Sequence, residues 1–146
     1  ELATAHGCDY PIIYSQENFA DRVREITEGE GVPVVYDSVG QSTFEGSLDC
    51  LAPLGMFVSF GNASGPIPAL NPGNLSQKGS LYFTRPTLMT YTAQRDDLLA
   101  SANALFEVVE KGLKIKVNQT FPLENTADAH KALESRQTTG STVLIP

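Results

Sequence analysis

The chain has 146 residues, of which 41% are hydrophobic and 18% are charged, a composition typical of a folded domain rather than a disordered segment. Its net charge of −7, from 10 basic and 17 acidic residues with no basic cluster, argues against nucleic acid as a partner. No apolar run approaches the roughly 20 residues that a membrane-spanning helix needs, and the first residues given do not show the pattern of a secretory signal.

The two cysteines, Cys8 and Cys50, show no CxxC or other spacing of metal ligands. Isolated thiols are most often structural residues of proteins in a reducing compartment. We therefore interpret both cysteines as structural, and we expect a cytoplasmic protein without a metal site.

The chain begins inside a helical pattern. Residues 1–6 favour a helix but include no capping residue and no initiator Met, and Gly7 then ends the pattern. A cut chain explains this start better than a natural one.

Three short apolar runs are predicted to be strands, at residues 10–14, 32–36 and 56–60. A helix capped by Ser15 is predicted between the first two, with an apolar face of Phe19, Val23 and Ile26. A second helix is predicted between the last two, with an apolar face of Phe44, Leu48 and Leu51. Because the runs are continuously apolar and alternate with helices, the pattern indicates parallel strands covered on both faces. The predicted fold class is α/β, a doubly wound parallel sheet.

The second half is less regular. Residues 66–78 contain three prolines and are predicted to form an irregular loop or covering segment, followed by a strand at 80–84 that Arg85 and Pro86 end. The longest helical pattern spans residues 96–111. A strand at 117–123, a short helix opened by Asn125 and Asp128, and a final strand at 142–145 complete the chain. Periodicity alone leaves open whether this tail joins the same sheet or belongs to another domain.

Small and polar residues follow the predicted strands, where open parallel sheets bind ligands. Residues 37–40 and the glycine-bearing run 61–65 offer main-chain groups with little side-chain bulk, and Tyr14 could cover a flat base. The glycines could equally serve only to turn the chain, and Arg136 is by default a solvated charge. The chain contains neither GxGxxG nor GxxxxGK[ST], so the strongest nucleotide-binding fingerprints are missing.

Four blocks carry a more specific signal: VVYDSVG (34–40), LDCLAPLGMFVSFGNASG (48–65), QKGSLYFTRPTL (77–88) and ESRQTTGSTVLIP (134–146). Together they closely resemble the zeta-crystallin type of bacterial quinone oxidoreductase, within the medium-chain dehydrogenase/reductase superfamily. The resemblance implies an incomplete Rossmann domain at residues 1–111. Residues 112–146 would then be a strand-helix-strand tail that returns to a GroES-like catalytic domain. It also implies that the phosphate-binding loop and most of the catalytic domain lie upstream of Glu1.

The same resemblance implies NADPH as cofactor, a small-molecule quinone as substrate, and zinc-independent chemistry without a catalytic acid or base in this chain. It implies a set of cofactor-binding residues, which we expect at Tyr14, Val39, Phe60, Gly61, Asn62, Ala63, Ser64, Gly65, Arg85, Pro86, Thr87 and Arg136. An arginine suits position 136 because its planar fork can bond phosphate or carboxamide oxygens.

Three further expectations stand beside this assignment. The family's dimer contact lies near residues 81–84, so a homodimer is expected. A chain without its phosphate loop could instead be an inactive structural or dimerisation module, because a sheet that lacks strands exposes apolar edges. A methyltransferase-like domain is a weaker alternative, since Asp37 closes a strand but Ser-Val-Gly follows it.

Overall fold

The computed structural model describes all 146 residues and contains two compact units, Glu1–Arg95 and Asp96–Pro146. Its strands are parallel and alternate with helices, which confirms the α/β fold class. The expected domain boundary at residues 111 and 112 stays a prediction. None of the helices is long and apolar enough to span a bilayer.

The first unit is organised around three strands with helices between them. Its elements are α1 (Leu2–Ala5), α2 (Phe19–Ile26), β1 (Val32–Asp37), α3 (Phe44–Asp49), β2 (Leu51–Ser59), α4 (Pro72–Gln77), β3 (Tyr82–Thr84) and α5 (Leu88–Tyr91). The strands form one parallel sheet in the order β1-β2-β3, with Val35 beside Phe57 and Phe57 beside Phe83.

The hydrophobic core lies on one face of this sheet. Phe57 is fully buried, stacks on Phe83 with 5.4 Å between ring centroids, and meets the edge of Phe44 from α3 at 5.5 Å. Leu48, Leu51 and Leu81 complete the buried cluster. The other face exposes Val34, Tyr36, Met56 and Tyr82. Helix α3 packs on the Phe57 side of the sheet, through Phe44 and Leu48.

The expected strand at residues 10–14 is wrong. The segment has no ladder partner, and an extended segment becomes a strand only by pairing with a neighbour. The turn after it starts early, because Gln16 and Glu17 donate their N–H groups to the carbonyl of Ile13 at 2.8 and 3.2 Å.

Helix α2 begins later than predicted. The side chain of Asn18 accepts the N–H groups of Ala20 and Asp21 at 3.0 and 3.4 Å, so Asn18 and not Ser15 is the N-cap. Helix α3 ends at Asp49, and Leu51 is already the first residue of β2. The strand predicted at 56–60 is thus the second half of a longer strand.

The segment at residues 66–78 contains a helix, which its three prolines made difficult to predict from the sequence. Asn71 caps α4 by accepting the N–H of Gly73 at 2.9 Å, and Pro72 occupies the first helical position, where a proline costs nothing. Leu75 from this helix packs against the core, together with Ile67 and Leu70. Of the two predicted alternatives, a loop or a covering segment, the structure therefore shows the covering segment.

The second unit contains most of a long helix and a two-stranded sheet. Its elements are α6 (Arg95–Glu110), β4 (Val117–Pro122), a 3-10 turn (Leu123–Asn125), α7 (Thr126–Glu134) and β5 (Ser141–Ile145). Helix α6 starts at Arg95, the last residue of the first unit. Strands β4 and β5 are parallel, and α7 connects them. The predicted strand-helix-strand tail is present, in a sheet separate from that of the first unit.

Candidate cofactor-binding site

Two loops leave the carboxyl ends of β1 and β2 side by side, because these strands are parallel neighbours. We call residues 38–42 the first loop and residues 60–65 the second loop. Main-chain hydrogen bonds join them: Ala63 N–H donates to Ser38 O at 3.1 Å, Ser64 N–H to Val39 O at 2.8 Å, and Gln41 N–H to Gly65 O at 3.1 Å. The Ser64 hydroxyl adds a bond to Val39 O at 2.9 Å and accepts the N–H of Ser42 at 3.0 Å. The pair therefore forms one bonded edge.

Glycine is required where the two loops touch. A Cβ on Gly61 would stand 2.4 Å from the carbonyl oxygen of Ser38, and a Cβ on Gly40 would stand 2.5 Å from that of Gly65. Gly40 also has a φ of +91°, which side-chain-bearing residues rarely adopt. These glycines therefore permit close packing of one loop on the other, in addition to turning the chain.

Asp37, the last residue of β1, holds the first loop through hydrogen bonds to its side chain. It is 5% exposed. Its Oδ1 accepts the N–H groups of Val39 and Gly40 at 2.7 and 2.9 Å, and its Oδ2 accepts the hydroxyls of Thr43 and Ser47 at 2.7 and 2.8 Å. Burial by itself raises the pKa of this carboxyl, but the four hydrogen bonds favour the charged form, and the pKa is lowered overall.

A cleft of 280 Å³ opens beside the first loop, between the segment that carries Tyr14 and the strand β1. Tyr14 and Val39 both line it, so the structure brings these two predicted residues together. The Tyr14 ring is exposed and meets Phe19 edge to face at 6.4 Å. The other lining residues include Ile12, Val35, Tyr36 and Ser38. An apolar cleft walled by an aromatic ring suits a flat heterocycle.

Of the three predicted residues after β3, Arg85 contacts the second loop. Its Nη1 donates to Ser59 Oγ, Gly61 O and Asn62 Oδ1 at 2.7, 3.0 and 3.3 Å. Pro86 is half-buried, and Thr87 is exposed, with its hydroxyl 2.8 Å from that of Thr90.

Most side chains of the second loop are open to solvent. Phe60, Asn62, Ala63 and Ser64 are exposed, and Gly61 and Gly65 are partly covered. Arg136 lies in the second unit, directly after α7, where it is exposed, has a left-handed φ of 58° and donates its N–H to Leu133 O at 3.1 Å.

Three residues that support this site did not stand out in the sequence: Thr43, Ser47 and Ser59. Each is buried and gives or accepts a side-chain hydrogen bond at a strand end. A hydroxyl residue at the start of a helix that follows a strand-end aspartate was the available signal, but such residues are common on solvated faces as well.

The chain provides no ligand set for a metal ion. No three His, Cys, Asp or Glu side chains come together in a way that could hold one. Cys8 is exposed and Cys50 is buried, and both are free thiols.

The chain is similar to known proteins over its whole length. The family model for zinc-binding dehydrogenases matches residues 6–144. A quinone oxidoreductase of Pseudomonas aeruginosa is 56% identical over 146 residues, covering 99% of this chain and 45% of that protein.

Solved structures give the same result. A quinone oxidoreductase of Pseudomonas syringae superposes with a TM-score of 0.91 at 48% identity, covering 99% of this chain and 45% of that one. The Escherichia coli quinone oxidoreductase complexed with NADPH superposes at 0.86 with 49% identity, covering 92% and 42%. The chain thus spans less than half the length of these proteins. It belongs to the zinc-binding dehydrogenase family of the medium-chain dehydrogenase/reductase superfamily, and the relatives described here are quinone oxidoreductases.

Proposed function

We propose that the chain is the cofactor-binding, C-terminal part of an NADPH-dependent quinone oxidoreductase. The observation that carries this proposal is the bonded edge of the first and second loops, next to the cleft that Tyr14 and Val39 line. Such an edge at the carboxyl ends of parallel strands is where dinucleotides bind in open sheets. The high identity to quinone oxidoreductases, one of them solved with NADPH, supports the same assignment.

Each part of the site has an assigned role in this proposal. Tyr14 would hold the adenosine ribose and its 2′-phosphate, and Val39 would lie in the turn along the cofactor. The second loop would hold the nicotinamide half, and Arg85, Pro86 and Thr87 would border its pocket. Arg136 would also bind the cofactor, since a guanidinium can bond phosphate or carboxamide oxygens. NADPH supplies the hydride when it is bound.

The chain contributes position and shape to the reaction. Asp37 is the one buried carboxylate at the site, and all its hydrogen bonds go to its own loop and to α3, so it is not available as a proton donor or acceptor. Hydride transfer between two flat rings depends on their distance and alignment, and closely packed loops provide these. We assign no acid or base to this chain.

The oligomeric state and the cellular location of the enzyme are inferred from the same assignment. We infer a homodimer that uses the region of residues 81–84, where β3 is the free edge of its sheet and Tyr82 is exposed. We infer a cytoplasmic location, in which Cys8 and Cys50 stay reduced.

Steady-state kinetics of the full-length protein test the proposal. We expect oxidation of NADPH, followed by its absorbance, with at least one of a panel that includes 1,4-benzoquinone, a naphthoquinone and a ubiquinone analogue. NADH in place of NADPH is the cofactor control. Absence of turnover with every quinone, in protein that binds NADPH, would remove the substrate from the proposal and leave the cofactor.

A second function is proposed for the 146-residue chain by itself, which would be an interaction module without turnover. The apolar sheet face of Val34, Tyr36, Met56 and Tyr82 favours it, because an apolar face of this kind favours association. Titration of the isolated chain with NADPH, followed by nicotinamide fluorescence, separates the two functions. Submicromolar binding would exclude the inert module, and absence of binding would support it.

A further inference from the structure

The side chain of Arg85, which directly follows β3, is bonded to the end of the neighbouring strand. Its Nη1 atom donates to the hydroxyl of Ser59 at 2.7 Å, to the carbonyl of Gly61 at 3.0 Å and to the side-chain oxygen of Asn62 at 3.3 Å. Ser59 is the last residue of β2, and Gly61 and Asn62 belong to the second loop. One nitrogen atom therefore connects the end of β3 to the corner at which the second loop leaves β2.

The second loop has a different kind of attachment on its other side. There, main-chain hydrogen bonds join it to the first loop, and the missing Cβ of Gly61 lets the two backbones touch. None of its main-chain hydrogen bonds reaches the segment after β3. On that side the attachment depends on the side chain of Arg85.

Burial makes the Arg85 contact specific. Ser59 is 1% exposed, and the only hydrogen-bond partner of its hydroxyl is Arg85 Nη1. A buried hydroxyl without a partner is unfavourable, so this bond determines where the guanidinium lies. Nη2 and Nε of Arg85 form no hydrogen bond within this chain. The alternative role for Arg85 is therefore direct contact with a ligand through these two atoms.

We propose that Arg85 is a positioning residue for hydride transfer, which holds the Gly61–Asn62 corner of the second loop in place and acts on the nicotinamide half of the cofactor through that loop. This inference rests on the proposed function of the site. It assigns to Arg85 an effect on the alignment of the reacting rings, whereas a direct ligand contact would act mainly on the affinity for NADPH. The two arrangements therefore change different constants.

The test compares Arg85→Met with Arg22→Met in the full-length protein. Both changes remove an exposed guanidinium from the first unit, but Arg22 pairs only with Glu25 on its own helix. Three quantities are measured: hydrogen–deuterium exchange of the peptide that contains residues 60–65 without cofactor, the Kd for NADPH by fluorescence, and kcat with 1,4-benzoquinone. Ser59→Ala is the second variant, because it removes the buried acceptor and leaves the guanidinium intact.

In Arg85→Met, the amides of the peptide that contains residues 60–65 are expected to exchange at least about threefold faster than in the wild type. The same variant is expected to lower kcat by about 10- to 100-fold and to change the Kd for NADPH by less than about threefold. Ser59→Ala is expected to change the same quantities in the same direction, and the double variant to lose less than the product of the two single losses. Arg22→Met should resemble the wild type. Unchanged exchange at residues 60–65, or a loss expressed mainly in the Kd for NADPH, would overturn the inference. If the wild type reduces no quinone, the proposed function fails, and the exchange rates alone then decide whether Arg85 holds the loop.

Discussion

The Cα of Gly61 lies so close to Ser38 that a Cβ at position 61 would stand 2.4 Å from the Ser38 carbonyl oxygen and 2.8 Å from the Ser38 Cα. Both neighbouring atoms are main chain, so neither can move away without shifting the first loop. The contact between the two loops is therefore set by the absence of one side chain.

Substitution of Gly61 tests this contact. Gly61→Ala is expected to lower the free energy of unfolding by about 1–3 kcal/mol, because the added methyl group forces the loops apart. Gly73→Ala is the matched control, since its Cβ would approach only the Asn71 side chain, at 3.1 Å. Alanine at that helical position should change the stability by less than about 1 kcal/mol. The denaturation midpoints of the full-length variants give the comparison, and equal midpoints would contradict the close contact.

Removal of the Asp37 carboxylate should destabilise the first loop. Asp37→Ala leaves two buried hydroxyls and two N–H groups without their acceptor, and we expect a loss of about 2–4 kcal/mol of stability. Asp37→Asn should cost less, because an amide keeps one acceptor oxygen for Val39 and Gly40. Asp9→Ala, at an exposed position, serves as the control. A chemical denaturation series measures the order, and Asp37→Ala with the stability of Asp9→Ala would show that the network contributes nothing.

The same carboxylate gives stability a pH dependence. Burial raises its pKa, but the hydrogen bonds lower it by more, so the pKa in the folded chain lies below the ordinary value of an aspartate. A carboxyl with a depressed folded pKa contributes stability above its unfolded pKa, and this contribution is lost as the pH falls from roughly 5 through the folded pKa. Asp37→Asn should therefore show a smaller loss of stability over this range than the wild type. Parallel curves of unfolding free energy against pH would contradict this assignment.

The two thiols should differ in reactivity. Burial raises the pKa of Cys50 to about 11, an effect that Arg24 opposes and Asp49 reinforces, so this thiol stays protonated at neutral pH. Cys8 is exposed. Brief treatment of the 146-residue chain with iodoacetamide at pH 8 should label Cys8 and spare Cys50, and labelling in urea should reach both. Peptide mass spectrometry measures the ratio, and equal labelling of the native chain would show that Cys50 is accessible.

Much of the fold could be predicted because local signals agreed with the final contacts. The apolar run at 32–36 lies in β1, the run at 56–60 overlaps the end of β2, and the long helical pattern at 96–111 corresponds to α6. The two strands pair with each other, and the helix is long enough for its periodicity to decide. The run at 10–14 has the same apolar character, but it is not a strand because strand formation depends on a partner that periodicity does not report.

The site could be predicted only in part. Strand-end glycines and Tyr14 predict a site at the carboxyl ends of the strands, and Tyr14 and Val39 line one cleft there. The roles of Ser59 and Arg85 depend on a contact between residues 26 positions apart, which no local pattern encodes. The same holds for the hydroxyls of Thr43 and Ser47, which reach Asp37 only when α3 folds onto β1.

Hydrogen–deuterium exchange of the full-length protein, with and without saturating NADPH, tests the central claim most directly. The claim is that the bonded edge of the first and second loops holds the cofactor. It predicts that NADPH slows exchange in the peptides that contain residues 38–42 and 60–65, while α4, which covers the core of the same sheet, exchanges as before. Absence of NADPH binding, or binding that leaves both loop peptides unprotected, would contradict it.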